Sequence, residues 1–155
     1  MFSDSSQHTI SAVLLQSGYE NPPKDNVVSY ASCHLLDRET RYATIEKELL
    51  SVVYGLQKFR QWIYGTPGQV FSDHKPLTFL NSLVRHNSRF AKWVIILQEF
   101  NIQTTYVPGK HQLADHLTRI PTTVNAKWNF KERLHSRWCW CNRNVDGHCN
   151  YVAIF

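Results

Sequence analysis

The chain has 155 residues, of which 43% are hydrophobic, 13% aromatic and 19% charged. That is the composition of a globular domain with a sizeable core, and it excludes a disordered segment. No stretch approaches the roughly 18 consecutive apolar residues that span a bilayer, and Asp4 with the polar run to Thr9 replaces the basic and apolar regions of a signal peptide.

An intracellular protein, cytoplasmic or nuclear, without membrane contact is therefore expected. A formal net charge of +5 with eight histidines favours a polyanionic partner. Of the four cysteines, Cys33 stands alone and Cys139, Cys141 and Cys149 crowd the end of the chain. This is not a disulfide framework, and reduced thiols are expected.

Asp4 lies almost at the first residue, followed by a run that turns apolar. Residues 10–16 (ISAVLLQ) and 26–35 (NVVSYASCHL) read as strands joined by the turn-rich GYENPPKDN, which implies a hairpin. In TRYATIEKELLSVVYGLQKFRQWIYG, residues Ile45, Leu49, Val52, Val53, Leu56, Phe59 and Ile63 recur at helical spacing. Thr44 is the expected N-cap, and Gly65 and Pro67 stop this one long helix. GQVFSD (68–73) reads as a short buried strand ending in Asp73. HKPLTFLNSL reads as a short helix with Pro76 in its first turn. SRFAKWVIILQEF presents Phe90, Trp93, Val94 and Leu97 on one helical face, NIQTTYVPG alternates like a strand, and HQLADHLTRI is a brief last helix.

The order predicts a mixed α/β fold with a central sheet. The stretch from Pro121 holds Trp128, Trp138 and Trp140 among scattered basic residues. It has no clear periodicity and reads as a poorly ordered or loosely docked tail. Its His135, Cys139, Cys141, His148 and Cys149 lack paired C-x-x-C knuckles and are not read as a zinc site.

The acids stand at suggestive places: Asp4 before a strand, Glu46 and Glu48 early in the long helix, Asp73 at a strand end, and Asp115 in the last helix. Each has an ordinary explanation, since acids favour helix N-termini and turns. Strands ending in Asp4 and Asp73 would, as neighbours, set two carboxylates side by side, and a packed helix can add a third. Such a cluster repels itself unless a divalent cation neutralises it, and all-oxygen ligands suit Mg²⁺ or Mn²⁺. Periodicity does not choose between Glu46 and Glu48, which flank opposite edges of the apolar stripe.

FSDSSQHTISAVLLQ, SYASCHLLDRETRYATIEKELLSVVYGLQKFRQWIYG, SDHKPLTFL, NSRFAKWVIILQEF and YVPGKHQLADHLTRI, in that order, resemble the ribonuclease H domain of Ty3/gypsy-type LTR retrotransposon Pol polyproteins. DHKPL and the E-K-E-L-L helix followed by K-F-R are the most specific parts. The resemblance implies a ribonuclease H-like fold over residues 1–120, with 121–155 unassigned. It also implies endonucleolytic cleavage of the RNA strand of an RNA–DNA hybrid by two Mg²⁺ or Mn²⁺ ions. Its carboxylates fall on Asp4, Glu48, Asp73 and Asp115, with Asp4 shared by both ions, Glu48 and Asp73 on one, and Asp115 on the other. Glu46 is then an exposed helix-start acid. The order Asp, Glu, Asp, Asp argues against an integrase or transposase relative, which would place a late glutamate in the last helix.

Phosphate contacts are expected from Lys75, Arg85, His86, Arg89, Lys92 and Lys110, whereas Lys58 and Arg60 read as structural. His111 is a lesser candidate for aiding product release. The family has a full strand before its first aspartate where this chain has only Met1, Phe2 and Ser3, so a largely truncated first strand is expected. An upstream polymerase domain belongs to such a polyprotein. The alternative reading is a non-catalytic retrotransposon remnant or nucleic-acid-binding fragment.

Overall fold

The computed structural model describes residues 1–18, 25–79, 88–119, 139–143 and 149–154. Phe2–Ser5 forms strand β1. It pairs antiparallel with β2 (Thr9–Ser17) along all of its residues, from Phe2↔Val13 to Ser5↔Ile10, and parallel with β4 (Gly68–Ser72) at Phe2↔Phe71. Two main-chain bonds from Met1 extend the β4 contact: its nitrogen donates to the Gln69 carbonyl at 2.7 Å, and its carbonyl accepts from Phe71 at 2.8 Å. Stacked Phe2 and Phe71 rings, 4.7 Å apart, lie across the same pair. The first strand is therefore short, but it is paired on both sides, with β2 along its length and with β4 at Phe2 and through Met1.

β1 stops where Ser6 turns the chain. The Ser6 N–H donates to the Thr9 carbonyl at 2.8 Å, and its hydroxyl accepts from the Thr9 N–H at 3.0 Å. A serine hydroxyl serving its own turn in this way is common, and it leaves Asp4 at the rim of the sheet.

β2 continues through the 18–24 connection to β3 (Asp25–His34), with a register irregularity at Leu14/Leu15. β5 (Ile102–Tyr106) pairs parallel with β4. β6 (Cys139–Arg143) and β7 (Cys149–Ile154) form an antiparallel pair, and β7 adds to the edge of β3. The sheet order is β5-β4-β1-β2-β3-β7-β6. The sequence reading assigns no element to β6 or β7, and the histidines and cysteines considered there for zinc have no side chain among the described residues.

Side chains alternate along β1, so Met1, Ser3 and Ser5 share the face against α1 (Thr44–Lys58), whereas Phe2 and Asp4 share the other. Leu49, Val52, Val53, Leu56 and Phe59 are the buried stripe of α1, as the periodicity predicts, and they pack with Ala12, Leu14 and Val70. Phe90, Val94 and Leu97 of α3 (Ser88–Gln98) join the same core.

The long helix differs from expectation at both ends. It breaks at Phe59 (φ −96°, ψ 9°), giving a separate short α2 (Arg60–Ile63), although Phe59 N–H still bonds the Gly55 carbonyl at 2.9 Å. Gly65, at φ 76°, then takes the left-handed conformation that ends it. At its start the N-cap is Ala43, not Thr44. Here the Glu46 carboxylate reaches back to the Ala43 N–H at 3.0 Å, the half of a capping box that needs no cap side chain. HKPLTF becomes a 3-10 turn (Lys75–Phe79), and the last helix splits into a 3-10 turn (Gly109–His111) and α4 (Asp115–Thr118). No described helix is long and apolar enough to cross a membrane.

α1 sits unusually close to the sheet at Gly55, where an added Cβ would lie 2.7 Å from the Ala12 Cβ and 2.8 Å from the Met1 sulfur. The sulfur can move, but Ala12 is fixed by β2. Glycine costs about 1 kcal/mol of helix propensity relative to alanine, and overpacking costs about 1–3 kcal/mol. Gly55→Ala should therefore lower Tm despite its better propensity, and Ala12→Gly in the same chain should restore part of the loss. A Gly55→Ala chain melting at or above wild type in calorimetry would disprove the close contact.

Candidate metal centre

β1 and β4 run parallel and side by side, so their ends deliver Asp4 and Asp73 to one rim of the sheet. Glu48 comes from the second turn of α1 on one face. Asp4, Glu48 and Asp73 each offer an oxygen within 4.8 Å of the others'. Asp4 and Glu48 are buried, at 5% and 4% exposure, whereas Asp73 is open to solvent.

Hydrogen bonds hold the buried pair in place from both faces. The Ser5 hydroxyl donates to Glu48 Oε1 at 2.7 Å, and the Thr118 hydroxyl donates to Asp4 Oδ2 at 2.6 Å. Glu48 Oε2 is buried with no hydrogen-bond partner. Neither acid has an ion-pair partner among the described residues. Burial pushes the Asp4 carboxyl up to about 6, against the Thr118 hydrogen bond and with help from the charges of Asp73 and Asp115. Burial likewise pushes Glu48 up to about 8, opposed by Ser5 and reinforced by Asp4 and Asp73.

An orphaned buried oxygen, all-oxygen donors and the lack of an ion-pair partner for Asp4 and Glu48 among the described residues fit a hard divalent ion such as Mg²⁺ or Mn²⁺. The triad could hold one. Asp115 stands apart from this triad, although Asp4 feels its charge. Half-exposed at the start of α4, it pairs through Oδ1 with Arg119 at 2.6 Å.

Glu46, expected to be exposed, is 7% exposed. It caps α1 and faces Arg89 at 3.4 Å, so its place in the helix start is structural and dry rather than solvated. Arg89 also lies over the Tyr42 ring at 4.3 Å, so this expected phosphate contact is engaged within the protein. Lys75 lies over the Tyr106 ring at 5.0 Å, two residues beyond Asp73. Lys110 and His111 follow Gly109, whose Cβ position would be 3.3 Å from Asp73 Oδ2. Lys92 is exposed on α3. Arg85 and His86 lie outside the described residues. Arg60 is bonded to Glu99 at 2.6 Å, and Lys58 lies over the Tyr54 ring at 5.7 Å.

Ser5 and Thr118 were not legible as site residues. Single hydroxyls leave no periodic signal, and Thr118 meets Asp4 across 114 positions of sequence.

Residues 1–100 match the model of the RNase H-like domain found in reverse transcriptase. Over 124 residues the chain is 37% identical to the retrovirus-related Pol polyprotein from transposon opus of Drosophila melanogaster, covering 79% of this chain and 12% of the polyprotein. To the Pol polyprotein from transposon gypsy of the same organism it is 34% identical over 128 residues, 81% of this chain and 12% of that one. The transposon Tf2-3 polyprotein of Schizosaccharomyces pombe is 31% identical over 122 residues, 76% of this chain and 9% of the polyprotein. The chain thus spans about an eighth or less of the length of these relatives. Among solved structures, the foamy viral protease-reverse transcriptase in complex with RNA/DNA hybrid superposes with a TM-score of 0.53 at 19% identity, over 96% of this chain and 21% of that one. The likeness supports the ribonuclease H-like fold, and with the family match it leads to one conclusion: this chain belongs to the RNase H-like domains found in reverse transcriptase.

Proposed function

We propose that the chain is the nuclease module of a retroelement polyprotein and hydrolyses, with divalent metal, the RNA strand of an RNA–DNA hybrid endonucleolytically. In this reading the polyprotein also carries an RNA-directed DNA polymerase upstream. The observation that carries the proposal is the convergence of Asp4, Glu48 and Asp73 around an unpartnered buried oxygen. Its relatives among the Pol polyproteins, and a structural neighbour that is a reverse transcriptase in complex with RNA/DNA hybrid, support the substrate class.

Asp4, Glu48 and Asp73 would hold the metal, with Asp115 at the margin for a second ion. Divalent ions bound there supply Lewis-acid charge stabilisation and an activated water for in-line phosphodiester hydrolysis. Ser5 and Thr118 orient the carboxylates toward that role by occupying one oxygen of each. Lys75 and Lys110, near Asp73, and the exposed Lys92 would meet substrate phosphates. Arg89 would do so only by leaving Tyr42 and Glu46, and Arg85 lies outside the described residues. Selection of RNA rests on hybrid groove shape and the 2′-OH rather than on base readout.

Incubation of the purified chain with a labelled hybrid and millimolar Mn²⁺ or Mg²⁺ should give internal RNA cuts. Asp73→Asn, a substitution at the solvent-exposed member, should reduce them by about 100-fold or more, as expected when a carboxylate of a metal site is lost. A folded chain that binds hybrid and leaves it intact would instead support the non-catalytic alternative.

The raised carboxyls also set a pH dependence. Above the ordinary carboxylate range, folded Asp4 up to about 6 and folded Glu48 up to about 8 hold protons that the unfolded chain has released. Metal-free stability from these groups therefore falls as pH rises through that window. Glu48→Gln should flatten the slope and raise the metal-free Tm at pH 8 by about 5 °C. Mn²⁺ should raise wild-type Tm at pH 8 and lose most of that effect in Glu48→Gln, because only native-state binding stabilises. Scanning calorimetry across pH 5–8 checks both, and a wild-type Tm that climbs toward pH 8 without metal would contradict the assignment.

A further inference from the structure

Gln112 is 3% exposed, in the connection between the Gly109–His111 turn and α4. Its Nε2 donates to the main-chain carbonyl of Ser3 at 2.8 Å, across 109 positions of sequence. Ser3 directly precedes Asp4.

Main-chain bonds in an antiparallel pair alternate along the strand. Counting back from the Ser6–Thr9 bond, Asp4 and Phe2 face β2, and the polar groups of Ser3 face β4. Yet β1 pairs with β4 only at Phe2↔Phe71. Beyond that point the two strands part, and the Gln112 amide meets the Ser3 carbonyl where the ladder ends. This point lies just below Asp4 and Asp73, whose carboxylates close the triad.

Two further bonds bind the same segment to the strands. The fully buried Ser11 hydroxyl donates to the Ala114 carbonyl at 2.9 Å, and Thr118 reaches Asp4. Gln112 does this with its Oε1 buried and without a hydrogen-bond partner. A plug that only filled space would be apolar, since unpartnered buried oxygens are costly.

We propose that Gln112 is a positioning residue. By capping the Ser3 carbonyl where β1 and β4 separate, it sets the spacing of the Asp4 and Asp73 carboxylates and registers the segment bearing Asp115 against them. The inference rests on the metal-dependent nuclease reading.

Gln112→Met keeps the length of the side chain and removes the donor, and Gln112→Ala removes both. The test titrates Mn²⁺ alone into the full chain by calorimetry, then measures steady-state hybrid cleavage, with Asp73→Asn as control. Outer-shell partners of metal ligands are typically worth about 10–100-fold in affinity or activity. Gln112→Met should therefore melt cooperatively, bind Mn²⁺ about 10-fold more weakly, and lose kcat by a similar factor with KM for the hybrid unchanged. Wild-type Mn²⁺ affinity and kcat in Gln112→Met, with both lost in Asp73→Asn, overturn the positioning role and leave the nuclease reading intact. A raised KM at unchanged kcat also overturns it, because Gln112 would then be a substrate contact. Loss of a cooperative melt in both Gln112 variants overturns it in favour of a purely structural role. A wild-type chain that neither binds Mn²⁺ nor cleaves removes the nuclease reading and this inference together.

Discussion

Two buried carboxylates within reach of each other, with no ion-pair partner among the described residues, set the terms for everything around them. Asp4 and Glu48 are buried within reach of each other, and each carries a carboxyl raised by burial and by its acidic neighbours. A fold gains nothing in stability from such a pair, because burying like charges is unfavourable unless they are protonated or neutralised. The surrounding contacts nevertheless hold them in place. Ser5 fixes Glu48 from the α1 face, Thr118 fixes Asp4 from the opposite face, and neither supplies a positive charge. The burial of these acids is thus unfavourable in itself and is upheld by the polar contacts and packing around them.

The scaffold supports this with rigid elements rather than loops. Asp4 and Glu48 stand on a central strand and a core-packed helix, and Asp73 directly follows a strand. The close fit of Gly55 against Ala12 brings α1 near enough to the sheet for Glu48 to reach past the end of β1. The tight turn at Ser6 ends β1 one residue after Asp4, so the carboxylate stands at a rim instead of inside a sheet. A four-residue strand suffices because it is held on both sides, by β2 along its length and by β4 through Phe2 and Met1.

Much of this was legible in the residues, and the reasons for the gaps are physical. Helical spacing from Ile45 to Phe59 marked the core face of α1, because burial itself imposes that period. It did not separate Glu46 from Glu48, because both lie at edges of the stripe and both are buried. What distinguishes them is their partners: a backbone N–H and an arginine for Glu46, and other acids for Glu48. Thr44 looked like the cap because threonine is a good cap residue. The structure uses Ala43 because Glu46 supplies the reciprocal bond. β6 and β7 left no periodic pattern to read, and their pairing rests on main-chain bonds that any sequence can make. The hydroxyls and the amide that brace the acids are long-range polar contacts, which no local pattern announces.

Among the acids there is also a gradient from dry to wet. Asp4 and Glu48 are buried, Asp115 is half-exposed and already paired with Arg119, and Asp73 is open to solvent. The lysines that flank the site, Lys75 and Lys110, both lie on the Asp73 side. Under the proposed function, a polyanion would approach from the wet side, where the lysines lie, and the buried acids would hold the metal from the dry side, where its charge would be felt most strongly. Arg119 pairs with Asp115, which stands apart from the triad. The dry and wet ends of the cluster are held together by the short β1, which sets Asp4 beside the strand that leads to Asp73.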